Sequence, residues 1–194
     1  MRFCERTPLA CSFRRLAGNF FKQTIQALES QNSLRPQFGR GVRTGTRDAC
    51  ATLFPMKIPG LRSSYEKVGG LVFFGRMLDK IRLHARAKLP PDYNLGTGMD
   101  GRCVRFLQIE YAKLVERTLQ GGTDEEILEW CFEKGRRPGE EDILVWNAFM
   151  SKRGWRDEAS EGLAEEKKKR GFAHRDDIQT FFDFHKADEA EDRA

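Results

Sequence analysis

The sequence predicts an all-α domain: an irregular bundle of about five to six short helices, with a poorly structured N-terminal extension. Three observations lead there. Apolar residues recur at i, i+3 and i+4 in successive runs between Leu71 and His185. Each run is bounded by glycine, proline or a capping sequence. No run alternates apolar and polar residues with the period of two that marks a half-buried strand, and no internal repeat is found.

The first element spans Leu71 to Lys88, with Phe74, Met77, Leu78, Ile81 and Ala85 on its apolar stripe. Arg76, Asp79, Lys80, Arg82, His84 and Arg86 occupy the opposite face. Gly69-Gly70 opens this helix, and Pro90-Pro91 closes it, because proline removes an amide donor and pushes the preceding residue out of α. Leu89 to Gly101, with two prolines and three glycines, is a loop. Asp100 is the expected N-cap of a second helix that runs to about Gln120 and buries Val104, Leu107, Tyr111, Leu114, Val115 and Thr118. Gly121-Gly122 stops it. Thr123 and Glu126 form a capping box, each satisfying an amide the other end of the turn leaves free, and the helix they start buries Ile127, Leu128 and Cys131 before Gly135.

A further helix is expected from about Glu140 to Arg153, burying Ile143, Leu144, Trp146 or Asn147, and Met150. Residues 157–170 are almost all polar; a solvated helix fits them, anchored by Leu163 and laced by Glu–Lys pairs such as Glu165 with Lys169, at about 0.2–0.5 kcal/mol per pair. Asp176-Asp177 favour one more helix start, with Ile178, Phe181, Phe182 and His185 as its stripe. The helical domain is thus drawn over residues 56–187, followed by an acidic tail, 188–194, that is expected to fray.

The net charge of +5 invites a polyanion partner until it is divided along the chain. Residues 1–55 hold nine of the 34 Lys and Arg and three of the 29 Asp and Glu, which leaves 25 bases against 26 acids in the remainder. The body therefore exerts no net pull on phosphates, and nucleic acid is not an expected partner. No stretch approaches the roughly 20 apolar residues of a membrane span. The basic extension carries Phe13, Leu16, Ala17, Phe20, Phe21, Ile25 and Leu28 at helical spacing, the pattern of an amphipathic helix over 13–28. Two readings compete for it: a start upstream of the functional one at Met56, which is favoured, and a targeting or membrane-contact helix.

Cys4, Cys11, Cys50, Cys103 and Cys131 are an odd set without a C-x-x-C pair. A disulfide framework is not expected, and the chain reads as a cytoplasmic protein of a reducing compartment. His84, His174 and His185 are not at ligand spacing from paired thiols, so no metal and no cofactor is expected. Trp130, Trp146 and Trp155 are read as core or edge packing. Gly96-Thr97-Gly98-Met99-Asp100-Gly101 matches G-x-G-x-x-G, but a dinucleotide site needs a strand before that turn, and Leu89-Pro90-Pro91-Asp92-Tyr93-Asn94 cannot supply a central one. A flexible glycine loop is the reading kept.

Asp79, Lys80, Arg82, His84 and Arg86 form the densest titratable cluster. Asp79 and His84 lie five residues apart, roughly 140° around a helix, so they form no dyad unaided. A salt-bridged solvent face is the ordinary reading. Were there a pocket, the loop from Pro90 to Arg102 would fold over this helix and add Tyr93, Asp100 and Arg102.

Pro59-Gly60-Leu61-Arg62-Ser63, Gly69-Gly70, the run Gly75 to Arg82, Leu89-Pro90-Pro91-Asp92-Tyr93, Asp100-Gly101-Arg102, Trp130, Trp146-Asn147 and Asp177 to Phe181 together resemble an uncharacterised, mostly bacterial family, domain of unknown function 5069. The resemblance covers about Pro59 to Glu189 and implies a domain boundary but no activity, cofactor or partner. From the residues themselves, the expected function is a non-enzymatic helical domain that binds a protein partner or a small anionic ligand through Arg76 to Arg102. The ligand-binding candidates are Asp79, Lys80, Arg82, His84, Tyr93, Asp100 and Arg102. The alternative is a small enzyme of unknown class built on Asp79 and His84. The oligomeric state is left open.

Overall fold

Gly69 and Gly70 adopt positive φ angles of 53° and 85° and turn the chain through a hairpin. It joins β1 (Lys67–Val68) to β2 (Leu71–Val72), antiparallel, with Lys67 opposite Val72 and Val68 opposite Leu71. This computed structural model describes residues 57–190; the expectations for the extension, its helix 13–28 and Met56, and those for residues 191–194, lie outside the described residues. The hairpin corrects the reading that began a helix at Leu71 and found no strand, since two residues are too few to display an alternation.

Seven helices follow among the described residues: α1 (Phe74–Ala85), α2 (Gly98–Phe106), α3 (Tyr111–Leu119), α4 (Asp124–Lys134), α5 (Glu140–Lys152), α6 (Ser160–Lys169) and α7 (Phe181–Asp188). The fold is all-α apart from the hairpin. α1 ends before the prolines: the amides of Ala87 and Lys88 return to the carbonyls of His84 and Leu83, with Ala87 at φ 53°. The expected helix from Asp100 to Gln120 is two helices. Gln108 and Ile109 make the same pair of returns to Arg105 and Val104, and Gln108 sits at φ 56°. This turn is fixed from outside, because the Leu107 carbonyl accepts the Arg136 amide at 2.8 Å just past α4.

The Thr123–Glu126 capping box forms as expected. A second box, Thr180 with Asp183, starts α7, so Asp176 and Asp177 precede that helix and do not open it. On α5, Trp146 and Met150 are buried, while Leu144 is 62% exposed, against expectation. Leu163 anchors α6 as predicted, and the close ion pair on that helix is Glu166–Lys169 at 2.6 Å.

The main core gathers the hairpin, α1 and the inner faces of α2 to α5 around Phe74, Met77, Leu78, Leu107, Leu114, Ile127 and Met150. Each such side chain contributes about 1.5–3 kcal/mol on burial. A smaller cluster of Leu163, Phe172, Ile178 and Phe184 holds α6 to α7. The hairpin is tied to α5 by Asn147, whose side chain accepts from the Val72 amide at 3.0 Å and donates to the Gly70 carbonyl at 2.8 Å. α1 lies in the middle of all this and is buried from Phe74 to Ile81 without a break, so Arg76, Asp79 and Lys80 are not on a solvent face.

Candidate binding cleft

A cleft of about 430 Å³ opens beside α1, walled by residues 92–99, α6 and α7. Three polar constellations form its wall, and each begins with a side chain that the helix periodicity of α1 or α7 fixes.

Arg76 is 2% exposed. Its guanidinium donates to the Arg62 carbonyl at 3.0 Å and grips both oxygens of Glu189, with Nη1 to Oε2 at 2.9 Å and Nη2 on Oε1. The Tyr93 hydroxyl donates to that same Oε1 at 3.0 Å. Two parallel guanidinium bonds and a phenol thus converge on one carboxylate, the geometry in which arginine recognises carboxylates best. Burial, and then the Glu189 charge, raise the Tyr93 pKa, with Arg76 opposing, so the phenol stays a donor. The segment from 188, drawn as a fraying tail, therefore delivers a cleft residue.

One turn further along α1, Lys80 donates to the Asn94 carbonyl at 2.9 Å and to Asp100 Oδ1 at 2.5 Å. Asp100 is fully buried behind the cleft wall, where its other oxygen accepts the Gly96 amide at 3.1 Å. It is not the N-cap of α2, a place held by Thr97. Burial pushes Lys80 down and Asp100 up, and each opposes the shift of the other, so the two titrate as a pair. Gly96, at φ 69°, is backed by Tyr111, whose ring lies 2.8 Å from where a Cβ would stand. The glycine loop is thus closed by its own carboxylate, which occupies the place a phosphate would need in a dinucleotide site.

The third group is His185, whose Nδ1 is 2.8 Å from the buried Ser64 hydroxyl. His185 also lines the cleft, and among the described residues its Nε2 has no hydrogen-bond partner. Burial, then the charges of Arg76 and Lys80, hold His185 well below the usual imidazole range, so it is neutral near pH 7.

Arg102, Arg153 and Arg170 complete the rim. Arg153 is bonded to Asp157 at 2.7 Å and Glu158 at 2.9 Å, and Arg170 pairs with Asp92. Arg102 is less engaged: Glu158 is 3.8 Å away and the Phe149 ring 5.4 Å. The lining holds five cations (Arg76, Lys80, Arg102, Arg153, Arg170) and five carboxylates (Asp92, Glu165, Glu166, Asp188, Glu189).

Of the seven sequence candidates, Lys80, Tyr93 and Arg102 line this cleft and Asp100 supports it. The other three do not join them. Asp79 turns to Arg62, which binds it through Nε at 2.6 Å and Nη2 at 2.8 Å. Arg82 bonds Asp124 at 2.7 Å, and Arg62 also reaches Asp124 at 2.5 Å. This clamp ties residue 62 and α1 to the first turn of α4. Burial works against the Asp124 charge, but the bonds from Arg82 and Arg62 prevail and lower its pKa. His84 is exposed, and among the described residues it has no polar side-chain partner; Asp79 is taken by Arg62 and the pairing with His84 is not formed. Arg76 bounds the expected binding region but is not among the seven candidates, and neither are Ser64, His185 and Glu189; the run of Phe181, Phe182, Phe184 and His185 near an acidic end is the one signal for the last two.

Cys103 is buried and its thiol is raised well above the ordinary range by burial; burial pushes Cys131 up to about 12. Both are inert at neutral pH. Among the described residues, no three His, Cys, Asp or Glu are grouped to hold a metal ion, and no helix is long and apolar enough to cross a membrane. A family model described as "Domain of unknown function (DUF5069)" matches residues 58–191. No curated protein matches the chain.

Proposed function

The chain belongs to the domain of unknown function 5069 family, and within it we propose that this protein is a binding domain for a small anionic ligand, taken up in the cleft between α1 and α7. The observation that carries this reading is the buried Arg76 fork with the Tyr93 hydroxyl, a receptor for one planar carboxylate that here holds Glu189. Glu189 lies just beyond the last helix, so exchanging it for a ligand anion displaces one side chain and leaves the core packing untouched. The half-buried Arg102 supplies a second cation on the rim.

Neutral His185 supports binding over proton transfer. An imidazole whose pKa is far below 7 is a weak base at neutrality, yet it remains a good hydrogen-bond partner for a polar ligand group. The balanced lining supports a ligand that combines an anionic group with polar ones over a bare polyanion. Two buried thiols support a reducing, cytoplasmic setting.

The test is a thermal-shift titration of the full chain with acetate, succinate and inorganic phosphate, each matched in ionic strength with chloride. A ligand present at 100 times its Kd stabilises by about 2.7 kcal/mol. Succinate or phosphate is expected to raise the Tm above the chloride control, and Tyr93→Phe to reduce that rise. Identical Tm values in all four salts would contradict it.

A further inference from the structure

We propose that the outer face of α5 joins two copies of this chain in a two-fold, antiparallel helix pair. Trp146 and Met150 are buried and Ile143, Asn147, Asp142 and Ser151 half-buried; Glu140 is exposed at the first position, and along the outer face Glu141, Leu144, Val145, Ala148, Phe149 and Lys152 are all exposed. Leu144 is 62%, Val145 63% and Phe149 39% exposed. At 100° per residue these six fall in one stripe about 140° wide. Four contiguous apolar side chains between two opposite charges are what an interface core with a charged rim looks like.

The stripe commits the occupant because it complements itself. A two-fold axis passing between positions 146 and 147 sets Glu141 level with Lys152 of the partner subunit, Leu144 level with Phe149 of the partner subunit, and Val145 level with Ala148 of the partner subunit. Each match occurs twice, as an isologous interface requires. The small Ala148 at the centre lets the helix axes approach within the usual 8–10 Å. A parallel pair would instead set like charges together at both ends, so the charges select the antiparallel arrangement. Phe149 is held in place before any association: the guanidinium carbons of Arg102 and Arg153 lie 5.4 and 5.5 Å from its ring centroid. An anchor already fixed loses less entropy on binding.

Sedimentation equilibrium of the full chain tests this at concentrations up to about 100 µM, where micromolar dimers are fully visible. The expected result is a monomer–dimer equilibrium that Val145→Glu abolishes and Glu141→Lys weakens about tenfold. The double exchange of Glu141→Lys with Lys152→Glu is expected to return the constant to the parent value, and as these positions are exposed the variants keep their circular dichroism spectrum. A parent chain that stays monomeric throughout would overturn the proposal. So would a dimer insensitive to Val145→Glu, or a double exchange no better than the single one.

Discussion

Arg76 shows how little a residue's place in a periodic pattern says about its surroundings. Helical spacing puts it opposite the apolar stripe of α1, where a solvated ion pair with Asp79 is the natural reading. Instead it is almost wholly buried and bound to Glu189, 113 positions later, while Asp79 turns to Arg62. Buried charges persist only when paired and hydrogen-bonded, and those partners come from tertiary structure that periodicity does not encode. Tyr93, Lys80, Asp100 and Arg102 were legible because they flank a Gly/Pro loop beside the charged run. Ser64 and His185, 121 positions apart, were not. His185 makes a testable prediction of pH dependence. In the unfolded chain it takes up a proton near its ordinary pKa of 6.5, while the native state keeps it neutral to well below that. Its contribution is therefore complete above about pH 6.5 and is lost as the pH falls, by up to about 1.4 kcal/mol per pH unit. Urea unfolding at about pH 7.5 and 5.5 should show this decline in the parent and a smaller one in His185→Gln; equal declines would contradict the assignment.

At the scale of elements, most helices could be read directly because their ends are written locally. The Thr123 box is one such end, and Gly121-Gly122 marks another. The ends of α1 and α2 are not written locally, because Ala87 and Gln108 close them in the left-handed region without a glycine. The break at Gln108 exists because the Leu107 carbonyl is recruited by Arg136, which turns one expected helix into two. Both residues are exposed, so glycine at either position relieves backbone strain at small loss of contact. Ala87→Gly and Gln108→Gly should each stabilise the fold by about 0.5–1 kcal/mol in denaturant titrations. Destabilisation by either would argue against these turns. The hairpin is not legible for a different reason: it is too short to show a period and is held by Asn147 of α5.

For the molecule as a whole, fold class followed from composition and spacing, whereas only the side of the cleft formed by α1 and the loop after it did. It is assembled where α1, the glycine loop and the last helix meet, and its residues span 73 to 189 of the chain. The family match over residues 58–191 takes in all of it, including Glu189. On the proposed reading, the Arg76 fork is a carboxylate site whose present occupant, Glu189, is exchangeable. Calorimetric titration of acetate into Glu189→Gln, beside the parent, tests it most directly. Removing the internal charge leaves Arg76 without its counter-ion, which costs about 2 kcal/mol of stability and frees the fork for an external anion. Acetate is expected to bind Glu189→Gln at least about tenfold more tightly than the parent, with the lost stability recovered as acetate saturates. A folded Glu189→Gln that binds acetate no better than the parent would contradict it.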